Sequence, residues 1–271
     1  MSGGIVTYEP GEGPLVLSFP HSGTEIPEAV AERLNETGRA VPDTDWWLDR
    51  LYDFATDLRP TIVRAHLSRY VIDVNRDPTG ASLYPGQATT GLCPTITFDG
   101  DPIYESGQEP DDAEIGARTG QYFQPYHAAL RRAIEATRER HGYCLLYDCH
   151  SIRSEVPRLF EGTLPVFNIG TNDGASCAPQ LERAVADACA GAESFDHVVN
   201  GRFKGGWITR HYGDPAGGVH AVQMELAQRA YMKEAPPWDY LDGVAAEVRP
   251  VLRRALEAMI AAGDRMHGAK Q

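Results

Sequence analysis

The chain has 271 residues, enough for one large domain or two small ones, and its 42% hydrophobic residues suffice to bury a sizeable core. A formal net charge of -13 disfavours nucleic acid or an anionic membrane surface as partner, because both need a basic footprint, while a small anionic substrate stays compatible with a locally basic pocket. Five cysteines without a C-x-x-C pair suit free, buried thiols in a reducing compartment, and neither a leader-like start nor a membrane-length apolar run is evident, so the expectation is a cytoplasmic protein, a monomer or small homo-oligomer.

In chain order, the apolar run 14–19 predicts a buried strand, Pro27 to Leu34 a short helix, and Trp46 to Leu58 a longer one with Trp47, Leu51, Phe54 and Leu58 on one stripe. Strands are expected at 61–65 and 69–74. Residues 75–110, rich in Pro and Gly, predict an extended loop region with a hairpin around Asp99-Gly100. A helix is expected from Asp111 to His141, kinked or divided at Pro125. Strands follow at 143–149 and 164–169, then a helix from Pro179 to near Gly191. The glycine-rich stretch 200–218 predicts a loop forming a pocket wall, 219–225 a strand, and Pro237 to Ala262 a last helix bending at Pro250. Alternating strands and helices without a composition break imply a single α/β domain over 1–271, with a central mixed, mainly parallel sheet flanked by helices.

Two histidines sit at the ends of such strands, His21 before Ser22-Gly23 and His150 after Asp148-Cys149. In a parallel sheet both imidazoles reach one carboxyl edge, where α/β folds gather ligands, and where two imidazoles and a carboxylate can hold zinc. Asp148, two residues before His150, faces the same way and can orient it. Glu25 and Asp45 compete as third ligand. Asp45 is favoured, because the His21 to Glu25 spacing is one residue longer than H-x-x-E and runs straight into Ile26-Pro27. Glu225, at the end of the apolar run Val222-Gln223-Met224, has the setting of a general base for metal-bound water. Arg69, Asn75 and Arg76, at the ends of the 69–74 run, can grip a carboxylate. The segment with Arg202, Lys204, Arg210 and His211 lacks a G-x-x-x-x-G-K frame, and so suits an anionic group rather than a nucleotide phosphate.

The segments Pro20-His21-Ser22-Gly23, Pro42 to Trp46, Ser68 to Arg76, Ala88 to Leu92, Asp148 to Ser154 and Asn200 to Gly218 together resemble the N-formylglutamate deformylases, or N-formylglutamate amidohydrolases, of bacterial histidine degradation. The resemblance implies a divalent metal, zinc, and hydrolysis of N-formyl-L-glutamate to L-glutamate and formate, the last step of a histidine degradation route. It also implies a fold similar to the zinc carboxypeptidases, with the parts in the order first His, Asn-Arg carboxylate clamp, second His and late Glu. Carried onto this chain, the metal ligands are His21, Asp45 and His150, and Glu225 is the base. Arg69 or Arg210 meets the oxyanion. Asn75 and Arg76 grip one substrate carboxylate, and the loop with Arg202, Arg210 and His211 grips the other. A deacylase of another N-acyl amino acid and a non-catalytic amino-acid-binding relative are the competing readings.

Overall fold

The computed structural model describes residues 4–82, 86 and 88–268; Pro85 of the predicted loop and Met1-Ser2-Gly3 lie outside them. Its frame is a seven-stranded mixed sheet in the order β1-β3-β2-β4-β7-β5-β6. The strands are β1 (Val6–Glu9), β2 (Leu15–Phe19), β3 (Thr61–Ala65), β4 (Cys144–Ile152), β5 (Phe167–Gly170), β6 (His197–Val199) and β7 (Val219–Ala227). β3, β2, β4 and β7 run parallel, whereas β1 and β5 pair antiparallel with β3 and β7. The expected mixed, mainly parallel sheet is therefore present. Along β2, β4 and β7 every residue is buried, as continuous apolar runs require when helices cover both faces.

The period-two alternation of these strands sorts their side chains between two cores. Leu15, Leu17, Leu145, Tyr147, Val222 and Met224 face α6 (Pro179–Ala190) and α8 (Asp242–Gly268). Val16, Cys144, Leu146, Val219 and Ala221 face α5 (Gln124–His141), which contributes Tyr126, Leu130, Ala133 and Ile134. Ser18, Asp148, His150, Gln223 and Glu225 share the α5 side by the same alternation. The apolar rows on this side thus give way to polar side chains toward the carboxyl ends of the parallel strands.

Several expectations are corrected. The 69–74 run forms turns instead of a strand: Ser68 Oγ accepts the Tyr70 N–H at 3.2 Å, the Val71 N–H reaches Ser68 O, and the Asp73 N–H is taken by Leu92 O. Its apolar side chains are buried without joining the ladder, and the turns send Arg69 and Asp73 inward. The helix expected over 46–58 splits into α3 (Leu48–Leu51) and a 3-10 turn at Asp53–Leu58. The one expected at 27–34 is the short α1 (Glu28–Ala31), followed by α2 (Glu36–Arg39). Pro125 does not divide its helix. α4 (Asp112–Arg118) passes into α5 through a widened π turn at Thr119–Phe123, which lets the helix continue past a residue without an N–H. Residues 200–218 contain α7 (Trp207–Tyr212), α8 starts five residues after Pro237, and Pro250 lies within it. The expected hairpin is present, with Ile96 bridged to Pro102 and Gly100 at φ 100.

Candidate functional site

Register places the site. Ser18 of β2 is opposite Asp148 of β4, and His150 is opposite Glu225 of β7, while His21 lies just beyond the end of β2. Contrary to the reading of 143–149 as the full strand, β4 continues to Ile152, so His150 is held inside the ladder. Asp45 arrives from the 42–47 segment, where its N–H donates to His21 O at 3.0 Å. The turns after β3 deliver Asp73 and Asn75.

Each imidazole is engaged at Nε2 by an aspartate. His21 Nε2 lies 2.6 Å from Asp73 Oδ1 and His150 Nε2 lies 2.9 Å from Asp148 Oδ2. Donation from those nitrogens leaves both Nδ1 atoms as lone pairs. The two Nδ1 atoms face each other at 3.2 Å, with Asp45 Oδ2 at 3.1 Å from His150 Nδ1 and 3.7 Å from His21 Nδ1. Donors bound at about 2.0–2.1 Å around a tetrahedral ion stand about 3.3 Å apart, so the three separations fit a zinc-sized cation. Among the described residues these three form the group of convergent metal-ligating side chains. Glu25 is exposed, and its backbone is tied to His66 and Ser68.

The surroundings are built for positive charge. Asp45, Asp73 and Asp148 are fully buried, against the cations Arg69 and Arg76. Burial alone would raise the Asp45 and Asp73 carboxyls, yet Arg69 with His150 and His21 holds Asp45 low, and Arg76 with His21 and Arg69 holds Asp73 low. Burial disfavours a charged His150, but Asp148 and then Asp45 raise its pKa well above the ordinary range. A bound dication meets the same electrostatic demand as that proton. Asp148 is held in turn: Ser18 Oγ donates to its Oδ1 at 2.7 Å, and Tyr126 O–H lies 2.8 Å from Ser18 Oγ. Glu225 is different. Burial pushes its carboxyl up to about 7, opposed by His150 and Arg69.

The cluster opens into a cavity lined by His21, Arg69, Arg76, His150, Arg202 and Glu225 among others, with Phe98, Ile152, Leu159 and Phe203 as apolar wall. Arg69 binds Asp45 directly, stacks over the Phe98 ring at 5.0 Å and keeps a buried Nε without a hydrogen-bond partner among the described residues. Arg76 donates to Thr90 O and Thr90 Oγ1, and Arg202 to Leu159 O and Ala88 O. Asn75 lines the cavity with its amide committed: Oδ1 accepts the Ile208 N–H at 2.8 Å, and Nδ2 donates to Asp148 Oδ2 at 3.5 Å. A Cβ on Gly206 would lie 2.3 Å from Asn75 Nδ2, which explains a glycine there.

Arg210 and His211 are not brought to the cavity lining. Arg210 Nε turns back to Gly205 O at 2.9 Å, and His211 stacks on Trp207 at 4.0 Å. The sequence reading missed Asp73 and Gln223. Asp73 was hidden inside an apparent strand. Gln223 carries a signal in retrospect, since i and i+2 on a strand place it beside Glu225.

Fold and site together define a mixed α/β protein with a candidate metal centre at the carboxyl edge of its parallel strands. The family model described as N-formylglutamate amidohydrolase matches residues 13–232, and the chain belongs to that family. It is 48% identical over 259 residues to the N-formylglutamate deformylase of Pseudomonas putida, covering 96% of this chain and 97% of that one, and equally so to that of Pseudomonas aeruginosa. Among solved structures it is similar to an N-formylglutamate amidohydrolase from Ralstonia eutropha JMP134, with TM-score 0.76 and 25% identity over 96% of this chain and 97% of that chain. It shares its fold with a protein from Agrobacterium tumefaciens at TM-score 0.69 and 21% identity, over 95% and 96% of the two chains. No helix among the described residues is long and apolar enough to cross a membrane.

Proposed function

We propose that this chain hydrolyses N-formyl-L-glutamate to L-glutamate and formate, with a divalent metal, zinc, held by His21, Asp45 and His150. The observation that carries this reading is the convergence of three lone-pair donors beside buried Glu225, in a cavity that also presents Arg76 and Arg202. The names of the 48% identical relatives support the substrate. A divalent ion in this donor set supplies Lewis acidity and lowers the pKa of water toward neutrality.

The protein's own groups do the rest. Glu225, buried beside the donor set, takes a proton from the attacking water as the C–O bond to the formyl carbon forms, and gives it to the amine nitrogen as the C–N bond breaks. Arg69 places a fixed positive charge at the cavity wall where oxyanion charge develops. Arg76 and Arg202 bind the two carboxylates of the dianion, exchanging neutral oxygen acceptors for charged ones. Asn75 acts on the imidazole side through Asp148, whose Oδ2 accepts from Asn75 Nδ2 as well as from His150.

The test is metal analysis of the purified protein with a formate-release assay on N-formylglutamate and N-acetylglutamate. About one zinc per chain, formate release abolished by chelation and restored by zinc, and poor release of acetate are expected. Faster release of acetate assigns a different acyl group, and tight binding without release assigns a non-catalytic amino-acid binder.

A further inference from the structure

Gln223 is buried beside Glu225 on the same face of β7, and both ends of its amide are committed. Oε1 accepts the Gly206 N–H at 2.7 Å, and Nε2 donates to Glu225 Oε2 at 3.2 Å. Because the Gly206 N–H can only donate, it fixes which end of the amide is the oxygen, so the N–H₂ end must face the carboxylate. The main chain is brought this close by a second glycine. Gly170 pairs with Gln223 across β5 and β7, and a Cβ on Gly170 would lie 2.5 Å from Gly205 N.

We propose that Gln223 is a positioning residue for Glu225, tethering Oε2 so that Oε1 is the oxygen that takes and returns the proton. This rests on the reading of Glu225 as the base. A carboxylate free to rotate exchanges its two oxygens and spends time out of reach of the water, whereas one with a tethered oxygen is already oriented for proton transfer. The glycine-rich 200–206 segment is then part of the device, since the Gly206 N–H sets the direction of the tether.

Two variants of the zinc-loaded enzyme test this. Gln223→Met keeps the bulk of the side chain and removes both hydrogen bonds; Gln223→Leu removes both with a branched, uncharged side chain. Both are expected to lower kcat by about 10- to 100-fold, with KM within about twofold and zinc content unchanged. In a Glu225→Gln background, where the base is already lost, Gln223→Met is expected to add less than about a twofold further loss. A kcat near the parent value in either folded variant, or the same fold-loss in the Glu225→Gln background, overturns the proposal. Should Gln223→Met fail to fold, Gln223→Leu decides. Normal turnover by Glu225→Gln alone overturns the base assignment itself, which is a separate failure from a silent Gln223 variant beside an inactive Glu225→Gln.

Discussion

An imidazole donates through one nitrogen and offers a lone pair at the other, so the aspartates on the outer nitrogens of His21 and His150 dictate what the inner ones present. Removing either ring should therefore strip the ion: His21→Ala and His150→Ala are expected to lose zinc by metal analysis, and full occupancy in both contradicts the ligand set. Asp45→Ala should lose zinc while Glu25→Ala keeps it. Asp148→Asn and Asp73→Asn leave the ligands in place but weaken their orientation, with zinc affinity expected to fall about 10- to 100-fold in a chelator competition. Glu225→Gln should retain zinc and near-normal KM while kcat falls by about 10²–10⁴. Its titration has a second readout in the metal-free protein. The folded carboxyl is raised from 4.5 to about 7 by burial, so between those pH values the unfolded chain binds fewer protons than the folded one. Stability then falls as pH rises through that window, and the cost is complete above it. Glu225→Gln should show a flatter profile from pH 4.5 to 8, with a gain at pH 8 of up to about 3 kcal/mol. Parallel unfolding curves for the two proteins contradict the raised carboxyl.

The elements that carry these residues differ in how they are held. β2, β4 and β7 are clamped by neighbours on both sides and by helices above and below. The segment from Ser68 to Arg76 is held by turns and by charge contacts at its end, where Arg76 reaches Thr90 and lies 3.6 Å from Asp73. Arg76→Ala is accordingly expected to weaken binding of N-formylglutamate by about 2–4 kcal/mol and that of an uncharged formamide far less. Equal losses on the two ligands make Arg76 a structural residue. On α5 the effect should be stability alone. Leu130 is fully buried against β-strand side chains, and Leu130→Ala is expected to cost about 2–5 kcal/mol in denaturant unfolding without altering KM.

For the whole molecule, a net charge of -13 and the dianion proposed as substrate are reconciled by where the charge sits. Cations Arg69, Arg76 and Arg202 line the cavity, and much of the acidic excess lies elsewhere. Zinc bound to the folded state alone should stabilise it by about 2.7 kcal/mol at a hundredfold excess over Kd, so that the unfolding temperature rises with metal concentration. An unfolding temperature indifferent to zinc and to chelators contradicts a site preformed in the fold. The strands at 14–19, 143–149 and 219–225 were legible because burial on both faces writes itself locally as an apolar run, and 61–65, half-buried on one face, because of its β-branched residues. The imidazoles His21 and His150 were legible because such runs end at them. The turns at 69–74 were not, since the same apolar run serves a strand or a buried loop and only contacts elsewhere distinguish the two. Nor was the place of Asp73 or Gln223. His21 meets Asp73 across 52 residues and His150 across 129, and which distant side chains converge depends on the strand order β3-β2-β4-β7, which no local periodicity encodes.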